Sequence, residues 1–197
     1  MSKMAFVYPG QGVQNPGMGA DFYKESKEAE QIYNEAESIL DFDIKKVCFE
    51  ENDLINNTEY TQAALVTTYL AITGEVIKRE IFPDVTAGLS LGEYGAICVA
   101  GGMNEKEAIS LVRKRGIYMN NAVPEGFGGM TAVLGLNKED IDNVLREKDG
   151  VSVANYNCPG QIVITGSVEA IESSVPDLKK LGARCVKLKV RGPFHSP

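Results

Sequence analysis

The sequence has one histidine, four cysteines and no long uninterrupted apolar run. His195 stands alone, and Cys48, Cys98, Cys158 and Cys185 contain no Cys-x-x-Cys spacing, so no metal-ligand set is expected. The cysteines read as reduced, mostly buried thiols of a cytoplasmic protein. The longest apolar stretch, residues 85–102, is glycine-rich and broken by Glu93, which makes it a poor membrane span. The first ten residues lack the basic-then-apolar pattern of a secretory leader. Basic residues are also in deficit: 20 Lys+Arg against 27 Asp+Glu leave a net charge of −7. That balance argues against nucleic acid as a partner, and an acidic partner would need a local basic patch. The 197 residues suffice for one domain, or for a domain with a small subdomain.

The apolar pattern changes character along the chain. Residues 4–8 read as a buried strand that enters a Gly/Pro/Asn loop over 10–19. A helix is expected over 21–40, a polar loop over 52–59 and a buried helix over 61–77. A strand over 84–89 turns sharply at Ser90 into a helix over 92–100. Asn104 and Glu107 form a capping box for a helix running to about Ala122. Beyond the glycines of 126–129 come a strand (130–136), a helix capped by Asn137 (to 148), two strands (151–157 and 161–165) with a hairpin signal between them, a helix capped by Ser167 (to 181) and a strand (183–190). That order, strand-helix-strand-strand-helix-strand, is the split unit of a ferredoxin-like fold, so a boundary is expected near 126–129.

Gly88-Leu89-Ser90-Leu91-Gly92 is a G-x-S-x-G pattern placed where a strand meets a helix. Small residues on both sides of such a turn let the serine oxygen project outward, and the next N–H, from Leu91, can bind an oxyanion at the helix start. The alternative is that Ser90 only caps the helix. A serine nucleophile needs a base that titrates near neutrality, and His195 follows it in hydrolase order; a purely structural histidine is the alternative. No acid stands out to orient His195, since Asp177 and Glu172 look like surface-helix residues. Gly10-Gln11-Gly12 imitates a dinucleotide loop but lacks the third glycine. The better use for it is a loop that sets a backbone N–H and an amide beside the elbow. In Arg113-Lys114-Arg115, the first two read as a solvated face, whereas Arg115 has apolar neighbours and can point inward, where it needs a carboxylate.

These pieces together resemble the acyltransferase family of fatty acid and polyketide synthesis that contains the malonyl-CoA:acyl-carrier-protein transacylases. Pro9-Gly10-Gln11-Gly12 with Gln14, the GLSLGEY stretch from Gly88, Arg115-Gly116 with Met119, the stretch NYNCPGQIVITG containing Asn157, and GPFHS around Phe194 and His195 follow the family motifs in order. The resemblance implies an α/β fold: an α/β-hydrolase-like large subdomain with an inserted ferredoxin-like one. The divisions are 1–126, 127–191 and a return segment at 192–197. It implies Ser90 as nucleophile and His195 as base and acid, with the N–H groups of Gln11 and Leu91 as the oxyanion hole. Arg115, Met119, Asn157 and Phe194 would contact substrate. It implies no bound cofactor and no metal. The substrates would be malonyl-CoA and the phosphopantetheine arm of acyl carrier protein, in a cytoplasmic enzyme that is monomeric when complete and binds no nucleic acid or membrane. Alternating Lys187, Lys189 and Arg191 form a candidate patch for the acidic carrier, or simply a solvated strand edge. Leu89 replaces a histidine common before the serine, which alters packing at the elbow. Family members continue beyond the histidine motif and there supply what orients it. The resemblance therefore implies that residues 1–197 form one part of a longer protein and are inactive alone. A serine hydrolase or thioesterase on a similar scaffold, and an inactive fragment, are the competing readings.

Overall fold

A computed structural model describes residues 3–188, 190 and 192–197. The chain divides into two compact units, Met1–Tyr118 and Met119–Pro197.

The first unit is mostly helical. Strand β1 (Ala5–Tyr8) pairs in parallel with β2 (Val85–Gly88), in register from Ala5↔Val85 to Tyr8↔Gly88. A parallel pair needs a long crossover. Here it is α1 (Ala20–Glu25), α2 (Lys27–Ile39), α3 (Ile44–Phe49), a 3-10 turn (Leu54–Asn56) and α4 (Thr58–Lys78). Then α5 (Gly92–Val99) and α6 (Glu105–Asn121) follow β2, and the division between units falls in the last turn of α6.

Three local expectations are corrected. The helix expected over 21–40 is two helices, because Ser26 is extended: its N–H closes α1 on the Phe22 carbonyl, and its hydroxyl caps α2 by accepting from the Ala29 N–H at 3.2 Å. Helix α3 was not anticipated; Asp43 caps it and Ile44, Val47 and Cys48 anchor it in the core. The stretch 52–59 is not all loop, since it holds the 3-10 turn and α4 begins at Thr58. Helix α4 lacks a clean apolar stripe because it is enclosed all round: Ala63, Ala64, Leu65 and Val66 are all buried in succession.

In the second unit the order is β3 (Gly128–Leu134), α7 (Lys138–Arg146), β4 (Val151–Cys158), β5 (Gln161–Ser167), α8 (Val168–Lys180) and β6 (Arg184–Lys187). The strands form an antiparallel sheet in the order β4-β5-β3-β6. Successive side chains go to opposite faces. Val133, Ile162 and Ile164 join Ile141, Leu145, Ile171 and Leu178 of α7 and α8, while Met130, Ala132 and Val163 face the other way. Strand β6 is shorter than the expected 183–190, although the Leu188 N–H still bonds to the Met130 carbonyl at 2.9 Å. Lys189 and Arg191 of the expected basic stripe lie outside the described residues.

The cysteines are free, but only Cys48 and Cys98 are buried; Cys158 is exposed because it sits where β4 turns into β5. Among the described residues, no helix is long and apolar enough to cross a membrane.

Candidate active site

Ser90 sits at the end of β2 with φ of 51°, in the left-handed region that costs a non-glycine residue on the order of 1 kcal/mol. The turn is closed by the Leu89 N–H on the Tyr8 carbonyl (3.0 Å) and the Gly92 N–H on the Leu89 carbonyl (2.9 Å). The flanking glycines have a steric reason. A Cβ on Gly88 would lie 2.1 Å from the Gly92 carbonyl carbon, and one on Gly92 would lie 2.1 Å from the Tyr8 oxygen. Helix α5 therefore doubles back over the end of β2 and runs against β1. Leu91, buried at the start of α5, carries the N–H that the helix dipole makes a good anion donor.

Arg115 points inward, as its apolar neighbours suggested. Its Nη2 donates to Ser90 Oγ at 3.1 Å and its Nη1 to Gln62 Oε1 at 2.7 Å, and the guanidinium carbon lies 5.6 Å from the Tyr94 ring centroid. Gly116 makes that reach possible: a Cβ there would lie 2.9 Å from the Thr58 carbonyl oxygen, so α6 crosses α4 with the two backbones almost touching. The sequence reading missed Gln62. It is fully buried on α4, and a lone amide inside an otherwise apolar helix was the available signal.

Arg113 is corrected. It is not solvated. Its Nε and Nη2 pair with the two Asp41 carboxylate oxygens at 2.7 and 2.8 Å, and its Nη1 donates to the Glu59 carbonyl at 2.7 Å. The hydrogen bond from Arg113 holds the Asp41 carboxyl below its ordinary range, and that same bond raises Arg113.

The loop after β1 lies beside the elbow: a Cβ on Gly10 would touch the Leu89 oxygen at 3.1 Å. The Gln11 amide donates to Thr58 Oγ at 3.1 Å, the Tyr69 hydroxyl donates to the Pro9 carbonyl at 3.1 Å, and the Gly12 N–H donates to Gln14 Oε1 at 2.8 Å. The dinucleotide reading fails on this geometry, since no helix opens from this loop until Ala20.

The remaining candidates belong to the second unit. Pro193 packs on the start of β3, where a Cβ on Gly128 would meet it at 2.9 Å; half-buried Phe194 packs against Met130, Ala132 and Val163. His195 is exposed with φ of 56°, and the Ser196 hydroxyl donates to the Pro193 carbonyl at 2.7 Å. Asn157 is exposed on β4 and Met119 is half-buried in α6. Asp177 pairs with Lys148 (3.0 Å) and Lys180 (2.9 Å), and these bonds hold its carboxyl below the ordinary range. Glu172 is exposed on α8. Among the described residues, no group of three or more His, Cys, Asp or Glu could hold a metal ion.

This α/β chain thus sets a serine on a strained strand-to-helix turn, within hydrogen-bond reach of a guanidinium. The acyl transferase domain family matches residues 5–197, and the chain belongs to that family. It is similar to the malonyl CoA-acyl carrier protein transacylase of Bacillus subtilis (strain 168), 43% identical over all of this chain and 64% of that protein, and to that of Staphylococcus aureus (strain MRSA252), 41% identical over 65% of its length. The chain thus spans a little under two thirds of these relatives. Among solved structures, the Clostridium perfringens malonyl CoA-acyl carrier protein transacylase aligns with a TM-score of 0.94 at 40% identity, covering 98% of this chain and 63% of that one. A malonyl-transacylase in complex with a type II polyketide synthase acyl-carrier protein aligns with a TM-score of 0.92 at 39% identity, covering 98% of this chain and 64% of that one.

Proposed function

We propose that the protein transfers a malonyl group from malonyl-CoA to the phosphopantetheine thiol of acyl carrier protein, supplying fatty acid synthesis, through an ester on Ser90. The observation that carries this reading is the Arg115 hydrogen bond to Ser90 Oγ, braced by Gln62. A guanidinium at the nucleophile offers a fork to an acyl group that ends in a carboxylate. The similarity to named transacylases supports the same substrates.

In this reading Ser90 Oγ attacks the thioester carbonyl of malonyl-CoA while His195 takes its proton. The oxyanion rests on the N–H groups of Leu91 and Gln11. Collapse breaks the carbon–sulfur bond, and the CoA sulfur leaves with the proton from His195. The pantetheine thiol then gives its proton to His195 and attacks the ester carbonyl. The carbon–Oγ bond breaks and Ser90 is reprotonated. Met119, Asn157 and Phe194 contact the substrate in this reading. Residues 127–191, within the second unit, would be the ferredoxin-like insert, residues 1–126 the N-terminal part of an α/β-hydrolase-like subdomain, and residues 192–197 the return segment that carries His195.

Intact-mass analysis of the complete protein with malonyl-CoA should show the malonyl adduct, and Ser90→Ala should lack it. Arg115→Ala should slow malonyl loading by on the order of a hundredfold and spare acetyl loading, since an unmet carboxylate contact is costly. An adduct that persists in Ser90→Ala, or release of the acyl group to water rather than to a thiol, overturns the reading.

A further inference from the structure

Helix α6 carries its two buried-side arginines two positions apart, so their side chains leave it roughly 200° apart around the axis. Arg115 reaches Gln62 and Ser90 on one flank. Arg113 on the other flank holds both Asp41 oxygens and the Glu59 carbonyl, and its guanidinium carbon lies 5.0 Å from the ring centroids of both Phe42 and Tyr60. The Arg113 side chain is only 11% exposed. A fork on a carboxylate, a carbonyl and two ring faces is a rigid mounting that a lysine cannot reproduce.

The acceptors on α4 are Glu59 and Gln62, within one turn, and Gly116 of α6 abuts the Thr58 carbonyl beside them. Helix α6 is thus gripped on both flanks over the first turns of α4, which fixes its rotation about its own axis. A rotation of about 10° would move a side chain on the helix surface by roughly 1 Å. A displacement of that size at a reacting centre costs up to about a hundredfold in rate.

We propose that Arg113 is a positioning residue: by locking α6 onto the first turns of α4 it sets the reach of Arg115 to Ser90, and with it the preference for a carboxylate-bearing acyl group. This rests on the reading of Arg115 given above. Nothing about Arg113 touches substrate; it acts through Arg115.

The test compares rates of Ser90 ester formation from malonyl-CoA and from acetyl-CoA, read by intact mass in the complete protein. Arg113→Lys should lower the malonyl-to-acetyl ratio about tenfold while acetyl loading stays within about twofold. Asp41→Asn keeps the shape and one acceptor but removes the charge, and should lower the ratio about threefold. If Arg113→Lys does not fold, as judged by thermal melting, Asp41→Asn decides. An unchanged ratio in the folded variants overturns the proposal when wild type prefers malonyl and Arg115→Ala abolishes that preference. Equal losses of malonyl and acetyl loading overturn it too, because they show a structural role only. A wild type without malonyl preference, or an Arg115→Ala variant that retains it, instead overturns the reading on which the proposal rests.

Discussion

In the first unit the candidate site is set by backbones that almost touch: β2 against α5 at Gly88, α5 against β1 at Gly92, and α6 against α4 at Gly116. In the second unit position is set by sheet register, with β3 held from Gly128↔Ser167 to Leu134↔Gln161 and on its other edge by β6. The first arrangement brings the backbones of separate elements together where they cross and can hold a strained serine against an arginine; the second has comparably close approaches within its sheet, where a Cβ on Gly128 would lie 2.4 Å from the Gly166 oxygen and one on Gly166 2.2 Å from the Gly150 oxygen. The second distributes the load over many ladder hydrogen bonds and two apolar faces. The groups whose ionisation burial suppresses most strongly, Tyr33, Cys48 and Tyr69, all lie in the first unit.

The comparison breaks most visibly at the glycines. Gly92→Ala should cost more than about 3 kcal/mol, because its Cβ meets backbone that cannot swing aside. Gly129→Ala in β3 meets nothing within 4 Å and should change stability by less than about 1 kcal/mol. Chemical denaturation combined with amide exchange resolved by unit reads both; comparable costs would erase the distinction. Next in size, Ile164→Ala removes a fully buried side chain from the helix-facing layer of the second unit, for about 3 kcal/mol. Exchange protection should fall across β3, β5 and α8 and persist in α4.

Alkaline pH sharpens the contrast in a third way. Burial pushes the Cys48 thiol up to about 12 and that of Cys98 to about 11, and it also raises the Tyr33 hydroxyl. These groups bind their protons more tightly when folded than when unfolded. Their contribution is complete below pH 9 and is lost as pH rises from 9 towards 12. In the second unit burial raises Cys185 only modestly. Amide protection should therefore fail first in α2, α3 and α5, which carry Tyr33, Cys48 and Cys98, as pH climbs; simultaneous loss in both units would contradict this. The smallest effect belongs to Cys158. A thiol reagent at neutral pH should modify it first and leave Cys48 intact until unfolding, and Cys158→Ser should shift stability by less than about 0.5 kcal/mol.

Much of the site was legible in the linear chain because its signals are local. The G-x-S-x-G pattern is the steric requirement of one turn. The capping box is a reciprocal pair only three residues apart: Asn104 accepts from the Glu107 N–H and Glu107 from the Asn104 N–H, each at 2.9 Å. Asn137 and Ser167 cap α7 and α8 by the same short-range chemistry. Strands read at 130–136 and 161–165 are found at 128–134 and 161–167, displaced by about two residues at their ends. The division of the long first helix at Ser26 and the existence of α3 were not legible, because a serine in a helical pattern and a six-residue helix carry weak periodicity.

The sequence by itself determined which residue is the candidate nucleophile, where the main strands and helices run and which arginine turns inward. Those choices depend on neighbours within a few positions. Only the tertiary structure decided that Gln62 braces Arg115, that Thr58 holds the Gln11 amide, and that Arg113 is clamped by Asp41, Phe42, Tyr60 and Glu59 rather than bathed in water. Each of those partners is 47 to 72 residues away from the group it holds where a hydrogen bond joins them. The arginine pairs form because α6 lies against α4 at Gly116, and the Gln11 pair because the loop after β1 reaches the start of α4; such packing depends on shape at both surfaces at once, which no short window of sequence contains.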